Sequence, residues 1–326
     1  MKMKKNLYLA VSLVLCFQVL YLTGVGAQEK EYPEKPIQFL VGFNPGSFSD
    51  LCARALSKVA PKYLKRPLVV VNMPGAGQTV ALNELAKSAP DGYTIGTMVN
   101  DYRSVTIHQQ KVPFDPKVLK PLLGFTEFRM VLSVRGDAPF TRLEDFIAYG
   151  QKNPEAITFG HAGRGLIPHL MGELFFRSAN IKAIDVPYMG ATIQGVIGGH
   201  VTSAITDTYG LKQQVSAGTL KILVVFLDRR HKDFPEIPTS QEKGYADLSA
   251  LNPLLSVAIH KDTRPDRANK LHDVLKKVTE DPEFTKILDD MNIKCGYTSP
   301  EAVEESISKM EKGAVPLLKE LRLFVQ

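Results

Sequence analysis

Two short loops carry the first residues whose types and spacing could do chemistry. After the apolar stretch Ile37–Phe43 comes Asn44-Pro45-Gly46-Ser47-Phe48-Ser49-Asp50, and after Leu68–Val71 comes Asn72-Met73-Pro74-Gly75-Ala76-Gly77-Gln78. Each loop follows a strand-like run and opens a helix-like one. The first main-chain N–H groups of a helix have no partner inside it, so they can hold an anion without any cationic side chain. Ser47, Phe48 and Ser49 offer such groups together with two hydroxyls, and Gln78 adds an amide able to donate to a carboxylate. As plain strand-to-helix turns the loops would need only a cap, a role that suits Asp50. Phe48 is either a ring on which a flat ligand stacks or filler against a neighbouring domain.

A second set of loops adds charge. Gly160-His161-Ala162-Gly163-Arg164-Gly165 puts Arg164 just ahead of a helix start. A guanidinium there either clamps a carboxylate bidentately or reaches into solvent. His161 either donates to a ligand or packs, since no partner for it is visible along the chain; His169, on the following helix, reads as structural. Tyr188 brings a hydroxyl and a ring. Asp207, at the end of an apolar run, either faces a ligand or caps the next helix. Enzyme signatures are missing: there is no G-x-S-x-G, H-E-x-x-H, P-loop or C-x-x-C, and the glycines at 160, 163 and 165 lack the dinucleotide spacing. No histidine pair has metal-ligand spacing on an expected helix. No catalytic residue, cofactor or metal is therefore expected.

These loops need a scaffold, and the pattern supplies one. Strands over Ile37–Phe43, Leu68–Val71 and Tyr93–Val99 alternate with helices from Ser49 or Asp50 to about Tyr63 and over Thr79–Ser88, and Asn100-Asp101 caps a short helix. Leu122–Val134 reads as the crossing into a second domain. There Thr141-Arg142-Leu143-Glu144 forms a capping box, and the alternation restarts: strands Ile157–Phe159, Ala183–Val186, Val201–Thr206 and Leu220–Leu227, with helices Leu166–Ser178, Ala191–Ile197 and Tyr209–Ala217. Asp228–Pro238 is a return linker. Leu254–Ile259 rejoins the first sheet, followed by helices over Pro265–Glu280 and Pro282–Met291 and from Ser299 to near Leu323. The expected fold class is α/β, two-lobed, each lobe a mostly parallel sheet covered by helices. The lobes are expected at 28–126 with 229–326, and at 127–228. In such sheets ligands sit beyond the carboxyl ends of the strands, so the loops should line one cleft.

The totals agree with an exported binding protein. The chain has 326 residues and a formal charge of +6, of which Lys2, Lys4 and Lys5 supply three. The remaining +3 is too small, and too evenly spread, to imply nucleic acid. Met1–Lys5 is positive, Leu7–Leu22 apolar and Val25-Gly26-Ala27 small, which is the layout of a signal peptide cleaved after Ala27. Sixteen apolar residues fall short of the roughly 20 that span a bilayer. Cys52 and Cys295 read as two buried thiols.

The order of motifs is also that of a known family. Tyr32-Pro33-Glu34-Lys35-Pro36-Ile37, Asn44-Pro45-Gly46, Asn72-Met73-Pro74-Gly75-Ala76-Gly77 and Ala89-Pro90-Asp91-Gly92-Tyr93-Thr94 resemble the Bug family. Its members are the periplasmic solute-binding proteins of tripartite tricarboxylate transporters. The likeness continues through Gly160–Leu170, Val186-Pro187-Tyr188, Ile237-Pro238-Thr239 and Ser299-Pro300-Glu301. It implies a type II-like periplasmic-binding-protein fold and a carboxylate held by the first two loops, partly through water. Gly77, Gln78 and Thr79 take that role here, facing the His161, Gly163 and Arg164 loop. In amino-acid-binding relatives an acid near Asp207 meets an amine. Phe48, His161 and Arg164 stand where relatives usually carry smaller residues, which turns the expectation toward a dicarboxylate or an aromatic carboxylate. The resemblance further implies a periplasmic monomer that captures its ligand by closing about a hinge and delivers it to a tripartite tricarboxylate-type permease. A receptor feeding a sensor kinase, and a periplasmic hydrolase, are the alternatives.

Overall fold

A computed structural model describes residues 31–188 and 191–325. The expected signal peptide, and Met189 and Gly190 of the Tyr188 loop, lie outside the described residues. The chain divides into a short N-terminal unit, Met1–Glu34, and a body, Lys35–Gln326.

The body is built on two sheets. In the first, β1 (Ile37–Val41), β2 (Leu68–Asn72), β3 (Thr94–Val99), β4 (Leu119–Glu127), β10 (Leu254–His260) and β11 (Cys295–Thr298) lie in the order β11-β4-β10-β3-β1-β2. β1 is apolar at Ile37, Phe39, Leu40 and Val41, all buried, and pairs in parallel with both β2 and β3. Such a central strand reads as a continuous apolar run because both of its faces are covered. β10 enters antiparallel between β3 and β4, and β11 runs against β4, so four of the six strands point one way. The second sheet holds β5 (Met130–Arg135), β6 (Thr158–His161), β7 (Ile184–Pro187), β8 (Ser203–Asp207) and β9 (Leu220–Val225) in the order β7-β6-β8-β5-β9, with β5 alone reversed.

Helices α1 (Phe48–Val59), α2 (Thr79–Lys87), α3 (Leu143–Lys152), α4 (Ile167–Ser178), α5 (Thr192–Ile197), α6 (Leu211–Ser216), α7 (Pro265–Thr279), α8 (Pro282–Asp290) and α9 (Pro300–Glu320) cover these sheets. α9 serves both cores. Val303 and Ile307 pack with Leu40, Leu82 and Met98 of the first, whereas Met310, Ala314, Leu317 and Leu318 pack with Phe146, Phe159 and Phe175 of the second. Leu248 and Leu251 also join the second core, and Thr239 bridges to Val225 of β9. Part of the 229–326 segment assigned to the first lobe by sequence thus packs on the second.

Several local expectations change for identifiable reasons. The apolar run 122–134 is two strands, with only Phe128 and Arg129 between β4 and β5. Helix α1 is capped by Ser47, whose extended backbone lets its hydroxyl accept the Asp50 N–H, rather than by Ser49 or Asp50. The capping box at Thr141 is also displaced. Glu144 is drawn to Lys243, and Asp145 collects the N–H groups of Thr141 and Arg142 at 3.3 and 3.0 Å. A π-helical turn, Tyr102–Thr106, replaces the expected short helix. Asn100 does not cap it: its Oδ1 accepts the Leu254 N–H at 2.9 Å and its Nδ2 donates to Ser306 at 3.1 Å.

The two chain crossings between the sheets are stapled by Asn252. Its Oδ1 accepts the Met130 N–H at 3.1 Å, and its Nδ2 donates to the Phe226 carbonyl. Replacing Asn252 with Ala leaves both main-chain groups without these partners, and should lower stability by about 1–3 kcal/mol in urea unfolding. An unchanged midpoint would mean that the staple does not hold the crossings.

Candidate functional site

The loop after β1 is folded by its own acid. Asp50 accepts from the Gly46 N–H at 2.8 Å, from Arg54 Nε at 2.9 Å and from Asn72 Nδ2 at 2.8 Å. Burial would raise its carboxyl, but these donors outweigh it and hold the group below the usual range. The acid is spent on structure. The N–H groups of Phe48 and Ser49, in the first turn of α1, have no acceptor among the described residues. Ser49 is buried, and the Ser47 hydroxyl is occupied by the cap.

The loop after β2 turns through four consecutive residues with positive φ: Gly75 at 140°, Ala76 at 45°, Gly77 at 55° and Gln78 at 75°. Only the two glycines are free of a Cβ penalty there, so Ala76 and Gln78 must be held by their surroundings. Gln78 is held at both ends of its amide. Oε1 accepts the Val99 N–H at 2.9 Å, and Nε2 donates to Asp101 Oδ1 at 3.1 Å. The amide expected to serve a ligand instead ties this loop to the end of β3. The Gly77 and Gln78 N–H groups remain without acceptors among the described residues. Thr79 is buried at the start of α2, and its hydroxyl accepts from Gln110 Nε2 at 2.9 Å. The two loops touch: a Cβ on Gly42 would lie 2.8 Å from the Gln78 Cα. Four acceptor-free N–H groups therefore stand on neighbouring loops at two helix starts.

In the second sheet the chemistry converges on Asp185, in β7 beside β6. Arg164 binds it bidentately, Nε to Oδ2 at 2.7 Å and Nη2 to Oδ1 at 3.0 Å, while its side chain stays 64% exposed. His161 is fully enclosed, with Nε2 at 3.3 Å from Asp185 and Nδ1 accepting the Gly163 N–H at 3.1 Å. His169 Nδ1 likewise accepts the Gly165 N–H at 3.2 Å, and its Nε2 is 3.9 Å from both Asp185 and Glu173. Burial pushes His169 down to about 4, helped by His161, and lowers His161 as well; both rings are neutral at pH 7.

His161, His169 and Asp185 are close enough to hold a metal ion, but their hydrogen bonds oppose it. A metal at Nε2 needs the lone pair of that nitrogen, and hence a proton on Nδ1. Each Nδ1 faces a main-chain N–H, so the proton sits on Nε2. The rings point N–H groups toward Asp185, and the cluster fits a hydrogen-bond hub that fixes Arg164. Neither ring nitrogen of His161 is left for a ligand.

Between the lobes, the Phe48 ring lies on Phe128 with centroids 4.1 Å apart, and edge-on to Tyr209 at 6.1 Å. Of the two readings of Phe48, packing against the neighbouring lobe is the one the structure displays. Asp207 accepts the N–H groups of Arg129 at 2.5 Å and Tyr209 at 2.6 Å. Gln109 Nε2 donates across to the Gly165 carbonyl at 2.8 Å, which brings the Gly163–Gly165 loop against the first lobe. Tyr188 donates its N–H to the His161 carbonyl at 2.8 Å, and its ring covers Gly195 of α5.

Residues 52–323 match the family described as the tripartite tricarboxylate transporter family receptor. The chain belongs to that family. BugT of Bordetella pertussis is 30% identical over 240 residues, spanning 72% of this chain and 73% of BugT. Two solved structures from Rhodopseudomonas palustris share the fold. One, described with adipate, has a TM-score of 0.77 at 21% identity and covers 89% of this chain and 98% of its own. The other, MatC with bound malate, has a TM-score of 0.71 at 22% identity, covering 87% and 100%.

Two acids of the receptor gain weight that sequence did not give them. Asp101 was visible only as a possible cap, and Asp185 as a polar residue within a strand. Burial pushes Asp101 up to about 6 despite its bonds to Gln78 and the Tyr102 N–H, and Asp207 likewise up to about 6 despite the N–H groups of Arg129 and Tyr209. Both folded values exceed the ordinary 3.8. From these groups, folding gains stability as pH falls through about 6 and loses it again as pH rises. Asp101→Asn should therefore be more favourable to stability, relative to wild type, near pH 7.5 than near pH 4.5 in urea unfolding. An equal difference at both pH values would contradict the raised carboxyl. Gly42→Ala should cost about 1–3 kcal/mol through the clash with Gln78; an unchanged urea midpoint would show that the two loops do not press together.

Proposed function

We propose that this receptor captures a small aliphatic dicarboxylate between its lobes in the periplasm, after removal of its leader, and delivers it to a tripartite tricarboxylate-type permease. The observation that carries the reading is a set of free donors on each lobe. On one lobe stand the acceptor-free N–H groups of Phe48, Ser49, Gly77 and Gln78. On the other stands Arg164, in a loop that already meets Gln109 of the first lobe. Two relatives by fold, described with adipate and with malate, support the same ligand class.

Arg164 need not leave Asp185 to act. A guanidinium has five N–H donors, and Asp185 takes one from Nε and one from Nη2. The Nη1 edge and the second Nη2 hydrogen remain for a ligand carboxylate, while Asp185, backed by the two histidines, holds the plane in place. The aromatic alternative loses ground because the Phe48 ring is engaged with Phe128 and Tyr209. A flat ligand would have to displace it. The lobes would turn on the 127–130 and 226–253 crossings.

Calorimetry on the mature protein tests this with succinate, malate and adipate against butyrate. Arg164→Ala should weaken diacid binding by roughly 10- to 100-fold, the worth of a charge-assisted hydrogen bond or two, and leave monoacid binding nearly unchanged. Equal affinity of the variant for every diacid would refute the clamp.

A further inference from the structure

A second cationic site lies beside the crossing at Phe128 and Arg129, next to the Asp207 loop. Arg129 is only 8% exposed; Glu127, Asp207 and Asp233 attract its guanidinium from a distance, but none forms an ion pair with it among the described residues. Its one side-chain hydrogen-bond contact among the described residues is Nη1 to His231 Nε2, at 3.1 Å. That contact is not a good hydrogen bond. The Asp233 N–H donates to His231 Nδ1 at 3.1 Å, so the ring proton sits on Nε2, where Thr208 Oγ1 can accept it at 3.3 Å. Two donors therefore face each other. A buried guanidinium without an acceptor is costly, and such charges are normally paired.

The missing partner has room. Arg129 lines a cavity of about 350 Å³ together with Lys212, Lys232 and Lys294, and with Asp233 and Asp289. Lys212 reaches Asp233 at 3.4 Å, whereas the ammonium groups of Lys232 and Lys294 have no acceptor among the described residues. Four cations against two carboxylates leave the lining at +2. Arg129, Lys212 and Lys232 come from the side of the second sheet, and Lys294 from that of β11.

We propose that this cavity binds a small oxyanion, with the Arg129 guanidinium as its principal donor and the lysines closing over it from both sides of the crossing. The shared chemistry is that of a compact group with two or more anionic oxygens, which a phosphate or a short diacid can supply. The proposal stands on Arg129 and its cavity, independently of the cleft reading.

The test uses the mature protein in phosphate-free buffer, with thermal midpoints and calorimetry in sodium phosphate, disodium succinate and sodium chloride at equal ionic strength. Phosphate or succinate should raise the wild-type midpoint beyond chloride, with a component that Arg164→Ala leaves intact. Arg129→Met should weaken that component at least about tenfold. Lys294→Gln, a change at an exposed residue, should weaken the component without touching the core. Phosphate acting alone, or succinate acting alone, identifies the ligand. Neither anion exceeding chloride, or a component that survives both Arg129→Met and Lys294→Gln, would overturn the site.

Discussion

Main-chain N–H groups at a helix start must find acceptors, and the first sheet sets two such starts side by side without them. Everything around the pair serves to keep it so. Asp50 could have covered the first turn of α1, but Gly46, Arg54 and Asn72 hold its carboxylate. The Gln78 amide could have folded back on its own loop, but Val99 and Asp101 take both its ends. What remains is a patch of partial positive charge with no cationic side chain, the kind of site that discriminates by shape as well as charge.

The same residues couple that patch to the crossings. The Phe48 main chain belongs to the cradle, while its ring rests on Phe128, one of only two residues between β4 and β5. Asn252 staples that crossing to the return strand, and Asp207 braces its far side through the Arg129 and Tyr209 N–H groups. Main chain and ring of Phe48 thus join the first-sheet loop to the crossing. α9, packed into both cores, spans the joint.

Much of this was legible in the sequence because it is local. Strand, glycine loop and helix follow from apolar runs and breakers, and the sequence motifs identified the family. What was not legible depends on partners far apart in the chain. Arg164 reads as a free cation until β6 and β7 pair and bring Asp185 beneath it. His161 reads as either a ligand donor or a packed ring until its loop folds and a main-chain N–H claims Nδ1. Gln78 reads as a ligand donor because nothing nearby announces Asp101 as its acceptor. Arg129 is one unremarked charge inside the apolar run 122–134; its burial next to a neutral histidine appears only once the linker carrying His231 has returned.

The most direct test of the central claim is a crystal structure of the mature receptor with succinate or adipate. One carboxylate is expected on the N–H groups of Phe48, Ser49, Gly77 and Gln78, and the other on the Nη1 edge of Arg164, with Asp185 still paired to its Nε. A diacid bound outside these loops, or held with Arg164 turned away to solvent, would contradict the two-ended clamp.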